Sequence, residues 1–338
     1  MSRSSSPTTL PGWDKGLIVN WLIVGAGALG SILAAHLARA GEDVTLLARG
    51  ARAGLLRGTG VRLTGLADLT VPVRIVEDPR ELARADVLVL TVKTYDTDAT
   101  LQSLRHVVVS SALSVQNGVL KNDQLAAVFG EGAVLGCAAD FSGEVQPDGG
   151  VQFTRNEGLY VGELPRGVSN RAQDIASTLE VAGVHTLASE NIQTMEWSKF
   201  VGWLALTPLA VLTRLPTYRV LKDPDLARLQ TVLAKEASQL TQRLGIPLED
   251  LVGASPAKTL LTAPVDDWVA QSRRNGEAME AHIPGHKMSA LQDLERGRRL
   301  EVEETFGYAV RKAAELGLRV PSIETCYRLL AGFGRTPS

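Results

Sequence analysis

Trp21-Leu22-Ile23-Val24-Gly25-Ala26-Gly27-Ala28-Leu29-Gly30 is an apolar strand running into G-x-G-x-x-G, and a helix-forming run, Ser31 to Ala40, follows at once. Each glycine has a physical task in such a turn. Gly25 makes the tight bend, Gly27 lets backbone approach a pyrophosphate, and Gly30 lets the helix pack closely. The helix N-terminus adds unpaired N–H groups and a partial positive charge. The strand before and the helix after point to a dinucleotide site, with Gly25, Ala26, Gly27, Ala28, Leu29 and Gly30 as its backbone.

The second strand, Asp43-Val44-Thr45-Leu46-Leu47-Ala48, ends at Arg49, with Arg52 just beyond. An NAD site usually places Asp or Glu about 20 residues past the glycine turn, to accept from the ribose 2′-hydroxyl. A guanidinium there suits a 2′-phosphate, so NADPH is the expected cofactor. The plainer alternative is a solvated loop arginine.

With 338 residues and 45% hydrophobic residues, the chain is long enough for two domains and a sizeable core. A net charge of −2 gives no general attraction to nucleic acid or a membrane surface. The two cysteines, Cys137 and Cys326, are far apart, which suits a reducing cytoplasm. Residues 1–18 are rich in Ser, Pro and Thr and lack a continuous apolar run, so a flexible extension is expected and not a signal peptide. No run of apolar residues is long enough to span a bilayer.

Strand and helix patterns alternate through the first half. Strands are expected at Val71 to Val76, Asp86 to Val92, Val107 to Val115, Ala133 to Ala139, Val151 to Phe153 and Leu159 to Gly162. Short helical pieces are expected at Leu82 to Ala85 and Asp98 to Leu104. Asp148-Gly149-Gly150 supplies a turn for a hairpin between the last two strands. After about Ser189 the period becomes helical: Ile192 to Leu215, Asp225 to Leu244, and a long run from Ser289 to Leu316. A loop is expected within Gly276 to Gly285. The predicted fold class is α/β, a Rossmann-type doubly wound parallel sheet over residues 19–189 followed by an all-helical domain over 190–338. The helical half leaves room for a homodimer.

Lys199 lies in the apolar helix Met195 to Leu206, where Lys199, Trp203 and Thr207 share one face. Its aromatic neighbours Trp197, Phe200 and Trp203 would partly desolvate it, which lowers an ammonium pKa and suits proton donation. A lysine simply paired with Glu196 is the alternative. Glu301 belongs to a helical pattern with Leu300, Val302, Phe306 and Val310, where a solvated carboxylate is the default. Ser289 could be only a helix N-cap, and Asn117-Gly118 only a turn. His282 and His286 have no third ligand nearby, so no metal site is expected.

In this order and spacing the pieces resemble the ketopantoate reductases (2-dehydropantoate 2-reductases). The anchors are the glycine turn, Leu47-Ala48-Arg49, Thr91-Val92-Lys93, Gln116-Asn117-Gly118, Trp197-Ser198-Lys199, and Ser289-Ala290-Leu291-Gln292-Asp293-Leu294-Glu295-Arg296-Gly297-Arg298 followed by Glu301. The resemblance implies that Lys199 donates a proton to the substrate carbonyl oxygen while NADPH delivers hydride to the carbon. It makes Glu301 the carboxylate that positions the substrate hydroxyl and Ser289 the contact of the substrate carboxylate. Asn117 becomes a polar group near nicotinamide and substrate, and Arg49 and Lys93 become cofactor contacts.

The departures fall in the substrate pocket. The family face runs Lys, Asn, Asn at four-residue steps; here it runs Lys199, Trp203, Thr207. His286 replaces an asparagine three residues before the serine. Losing designed hydrogen bonds to a polar substrate weakens discrimination by ~1–3 kcal/mol per unpaired group. Three functions follow: an NADPH-dependent reductase of 2-dehydropantoate or a related 2-oxo acid; the same reductase acting on a bulkier, more apolar carbonyl compound; and, as the least favoured, a dinucleotide-binding protein without catalysis.

Overall fold

The computed structural model describes residues 19–251 and 255–333. The expected N-terminal extension lies outside the described residues. The chain divides into two compact units. The first comprises residues up to Val92, Asp98–Gln116 and Asn122–Ile192; the second comprises Lys93–Thr97, Asn117–Lys121 and Gln193 onward.

The first unit alternates strands and helices: β1 Asn20–Val24, α1 Ala28–Arg39, β2 Asp43–Leu47, α2 Gly50–Thr59, β3 Val61–Gly65, β4 Leu69–Val71, β5 Arg74–Val76, β6 Arg84–Leu90, α3 Thr97–Leu104, β7 Val108–Ser114, α4 Leu120–Phe129, β8 Leu135–Val145, β9 Val151–Glu163, α5 Asn170–Ala182 and β10 Thr186–Ala188. Its five-stranded sheet runs β5-β2-β1-β6-β7 with every pair parallel. Trp21 to Val24 are all buried, as expected of a central parallel strand covered on both faces. Strand order reverses on either side of β1, so the glycine turn sits at the carboxyl end of the switch-point strand. A second sheet, β10-β9-β3-β4 with β8 on β9, packs its apolar face on α1, and Ile32, Leu33 and Leu37 lie in the shared core.

Several local expectations are corrected. Val151–Phe153 and Leu159–Gly162 belong to one long strand, β9, and Asp148-Gly149-Gly150 turns it back on β8. Val71 to Val76 is not one strand: β4 pairs with β3, whereas β5 joins the parallel sheet, with Pro72 between them. The helical piece expected at Leu82–Ala85 is a single 3₁₀ turn at Pro79–Glu81, begun by the Asp78 cap and Pro79.

The second unit is helical apart from a two-residue ladder, Asp250–Leu251 with Ser255–Pro256. It contains α6 Ile192–Thr213, α7 Thr217–Lys222, α8 Pro224–Leu244, α9 Ala257–Thr262, α10 Val265–His282, α11 Ser289–Glu295, α12 Tyr308–Glu315 and α13 Pro321–Phe333. Phe200, Leu204, Leu233, Leu240, Trp268, Phe306 and Ile323 form its core. Gly276 is not in a loop: it sits inside α10, where a Cβ would lie 2.8 Å from the Tyr218 carbonyl oxygen, so α10 and α7 pack backbone to backbone. The long helix expected from Ser289 to Leu316 is broken. An irregular stretch carries Glu301 and a π turn, Glu303–Gly307, leads into α12. The N-terminus of α13 is capped from afar, the buried Glu236 carboxylate of α8 accepting from Ser322 N–H and Ile323 N–H, each at 2.9 Å. Among the described residues no helix is long and apolar enough to cross a membrane.

Candidate active site

At the end of β1 the chain turns through Gly25, whose φ of +113° falls in the region that favours glycine. A Cβ on Gly30 would lie 2.0 Å from the Gly25 carbonyl oxygen, so α1 can start here only on a glycine. Thr91 pins the turn by donating its hydroxyl to Gly25 O at 2.8 Å and Val24 O at 3.0 Å. Gly27 differs: it is the N-cap of α1, and a Cβ there would meet nothing within 4 Å. No side chain caps this end and no acid occupies the first turn. An anion can therefore reach the N-terminus of α1 across the open face of Gly27, which fits a dinucleotide pyrophosphate.

Arg49 is the exposed N-cap of α2, its guanidinium 3.4 Å from Thr100 Oγ1. Arg52 serves the glycine turn itself. Its Nε donates to Ala26 O at 2.9 Å and its guanidinium to Ser31 Oγ at 3.0 Å, and it also bonds the Gly149 carbonyl. Glu77, just after β5, is a carboxylate that sequence spacing missed. It accepts from the Gly50 N–H at 3.1 Å and pairs with Arg57. It enters from the neighbouring strand, so counting along β2 cannot find it.

In the second unit Lys93 bridges two buried carboxylates. Its ammonium lies 2.5 Å from Asp293 Oδ2 and 3.3 Å from Glu301 Oε2. Burial works against the charge, but Glu301 and Asp293 together outweigh it and hold the Lys93 pKa above the ordinary lysine value. The other Glu301 oxygen accepts from the Thr94 N–H at 2.9 Å. Arg299 stacks over the Tyr95 ring at 4.5 Å, fixing the same loop. Asn117 opens the other loop of this unit, half-buried, and Gly118 lies against the π turn, a Cβ there being 3.5 Å from Thr305 Cγ2.

Lys199 is half-buried on α6. The neighbouring Glu196 carboxylate lies 3.3 Å from the buried Lys121 ammonium. One and two turns on, Trp203 and Thr207 line a cavity with Val211, Ala290, Leu300, Glu301, Val302, Phe306 and Leu330. It offers about 10 Å³ to the centre of a water molecule. Trp203 packs on Phe306 with ring centroids 5.2 Å apart. Ser289 is exposed as the first residue of α11, and Met288 holds the cap position instead. His286 is drawn to the start of α7, its Nδ1 2.9 Å from Thr217 Oγ1. Among the described residues no group of three or more His, Cys, Asp or Glu side chains could hold a metal ion.

The structure thus brings Lys93, Glu301, Trp203 and Thr207 together and adds Asp293, which sequence reasoning missed. A lone Asp on a short helix gives no signal of a partner 200 positions away.

Residues 21–166 match the family model "Ketopantoate reductase PanE/ApbA", and residues 191–333 match its C-terminal counterpart. A 2-dehydropantoate 2-reductase of Archaeoglobus fulgidus is 31% identical over 310 residues, covering 92% of this chain and 96% of that protein. The crystal structure of 2-dehydropantoate 2-reductase from Methylococcus capsulatus superposes with a TM-score of 0.76 at 26% identity, covering 94% of this chain and 99% of that one. D-mandelate dehydrogenase, solved with NADH and anilino(oxo)acetate, shares the fold at 17% identity, with a TM-score of 0.79 over 93% of this chain and 98% of its own. Matched across both halves and at this identity, the chain belongs to the ketopantoate reductase PanE/ApbA family.

Proposed function

We propose that the protein is an NADPH-dependent reductase of a 2-oxo acid, 2-dehydropantoate or a close relative. The observation that carries this reading is the Glu301 carboxylate, held by Lys93 and the Thr94 N–H, on a residue that also lines the cavity with Trp203 and Thr207. The open face of Gly27, the N-terminus of α1 and Arg49 would hold the dinucleotide, with Arg49 on the 2′-phosphate; Glu77 is neutralised by Arg57 and does not oppose it. When bound, the cofactor supplies hydride to the carbonyl carbon. Lys199 gives its proton to the carbonyl oxygen, so C=O becomes CH–OH and the lysine is recharged from solvent. Glu301 accepts from the substrate hydroxyl and orients it, Ser289 contacts the carboxylate, and Asn117 contacts nicotinamide and substrate. Lys93, placed as it is, holds the Glu301 carboxylate in position.

The test is NADPH oxidation with 2-dehydropantoate, with NADH and Lys199→Ala as controls. Fast turnover with NADPH that Lys199→Ala abolishes is the expected result; undiminished turnover by Lys199→Ala would overturn the proton-donor role. A second reading, the same chemistry on a bulkier and more apolar carbonyl compound, is supported by the Trp203, Val211, Leu300, Phe306 and Leu330 walls.

A further inference from the structure

Arg52, half-buried in the first turn of α2, forks onto three oxygens of the first unit. Its Nε donates to Ala26 O at 2.9 Å, one terminal nitrogen to Ser31 Oγ at 3.0 Å, and the other to the Gly149 carbonyl. The acceptors come from the glycine turn, from α1 and from the tip of the β8–β9 hairpin. A planar guanidinium held at three points has its direction fixed. The hairpin tip is itself fixed against α2, because a Cβ on Gly149 would lie 2.0 Å from Leu55 Cδ2. All three acceptors are neutral oxygens, so none of them cancels the positive charge. Burial pulls the Arg52 pKa below the ordinary arginine value, yet a guanidinium stays charged at neutral pH.

The Ala26 carbonyl is the acceptor that matters most. It belongs to the same peptide as the Gly27 N–H, and in a planar trans peptide the two point in opposite directions. Glycine tolerates either orientation of that peptide, so the chain alone does not decide it. Here Arg52 decides it, and Ser31 Oγ adds a second donor to the same carbonyl at 3.4 Å. With Ala26 O held toward Arg52, the Gly27 N–H is turned to the other side. Gly27 is exposed, and a Cβ there would meet nothing within 4 Å. The N–H is thus aimed before any ligand arrives.

We propose that Arg52 is a positioning residue that aims the Gly27 N–H at the pyrophosphate of the dinucleotide, serving NADPH and NADH alike and leaving the 2′-phosphate to Arg49. This rests on the dinucleotide site proposed above. A site that is competent only part of the time binds more weakly in proportion to that fraction. Once released, a peptide turned away for about nine-tenths of the time would weaken binding about tenfold.

Three ligands provide the test: NADPH, NADH, and adenosine 2′-monophosphate, which carries the 2′-phosphate without the pyrophosphate. In Arg52→Met the Kd values of both dinucleotides should rise by the same factor, about tenfold, with that of adenosine 2′-monophosphate unchanged. Ser31→Ala keeps the arginine and its charge but removes one arm of the fork, and should give the same pattern at about threefold. Weaker NADPH and adenosine 2′-monophosphate with NADH spared would place Arg52 on the 2′-phosphate and overturn the proposal. Unchanged affinities in both variants, or equal loss of all three ligands, would also overturn it. A second measurement needs no dinucleotide. With the glycines ¹⁵N-labelled, the Gly27 amide resonance, assigned by its loss in Gly27→Ala, should move when inorganic pyrophosphate is added to the wild type and stay in place in Arg52→Met. The same response in both proteins, or none in the wild type, would refute the aiming role. Failure of the wild type to bind either dinucleotide would count against the dinucleotide site, while the Gly27 resonance would still decide the part played by Arg52.

Discussion

In Gly30→Ala the added Cβ would lie 2.0 Å from Gly25 O and 2.5 Å from Thr91 Oγ1. Heavy atoms in contact normally sit about 3.5 Å apart, so a shortfall of about 1.5 Å falls on main chain. Neither side can yield easily. Gly25 N–H is bonded to Leu47 O at 3.0 Å, and α1 is locked by Ile32, Leu33, Ala34 and Ala35, all fully buried. Overpacking of this kind costs about 3 kcal/mol, which lowers Tm by about 6–12 °C. In Gly27→Ala the new methyl group meets nothing within 4 Å, and φ of −72° suits any residue. Alanine is a poorer N-cap than glycine, so stability should change by no more than about 1 kcal/mol. The same methyl fills the space through which a pyrophosphate approaches, and NADPH should bind at least tenfold more weakly, about 1.4 kcal/mol. Thermal unfolding and fluorescence titration with NADPH, run on both variants, separate the two effects. A wild-type Kd in Gly27→Ala would refute the placement of the dinucleotide, and an unchanged Tm in Gly30→Ala would refute the packing account.

Lys93→Met removes the ammonium shared by Asp293 and Glu301, leaving Asp293 with Arg298 at 3.7 Å and Glu301 with the Thr94 N–H; because Lys93 is also 37% exposed, the loss should be about 2 kcal/mol at pH 7 by urea unfolding. Because the folded-state pKa of Lys93 is raised, its contribution is complete below the ordinary lysine value of about 10.4 and disappears as pH rises through the raised one. The gap between wild type and variant should be flat from pH 7 to 9 and narrow above that value; a gap that persists there would contradict the pairing. Arg49→Ala should raise KM for NADPH by about tenfold or more and leave KM for NADH unchanged; an equal effect on both would remove Arg49 from the 2′-phosphate. Glu236→Ala should destabilise the protein by about 2–3 kcal/mol, with faster amide exchange concentrated at the start of α13. Unaltered exchange at Ser322 and Ile323 would show that the cap is unimportant.

The parts of the molecule that were legible in the sequence are those fixed by local chemistry. The glycine turn is specified by backbone constraints within ten residues, and α6 and α8 by period and by their stops. In sequence Glu301 reads as part of a continuous helix from Ser289 to Leu316. Apolar residues at 300, 302, 306 and 310 satisfy a helical period even though the chain passes through irregular backbone and a π turn. The loop expected within Gly276 to Gly285 begins only after α10 ends at His282; Gly276 itself serves a close approach between two helices. The Lys93–Asp293 pair and the Glu236 cap each join segments far apart in the chain, and no periodicity encodes such meetings.

Lys93–Thr97 and Asn117–Lys121 belong by their contacts to the helical unit, though they lie in chain order among the strands of the other. The second half is therefore not a transferable module. A recombination joining residues 193–333 to a foreign nucleotide domain would import Glu301 and Asp293 without their lysine, Glu196 without Lys121, and a core lacking Val119. Inheritance of the two halves is coupled by two short loops, so exchange between lineages can succeed only where those loops travel with the helices.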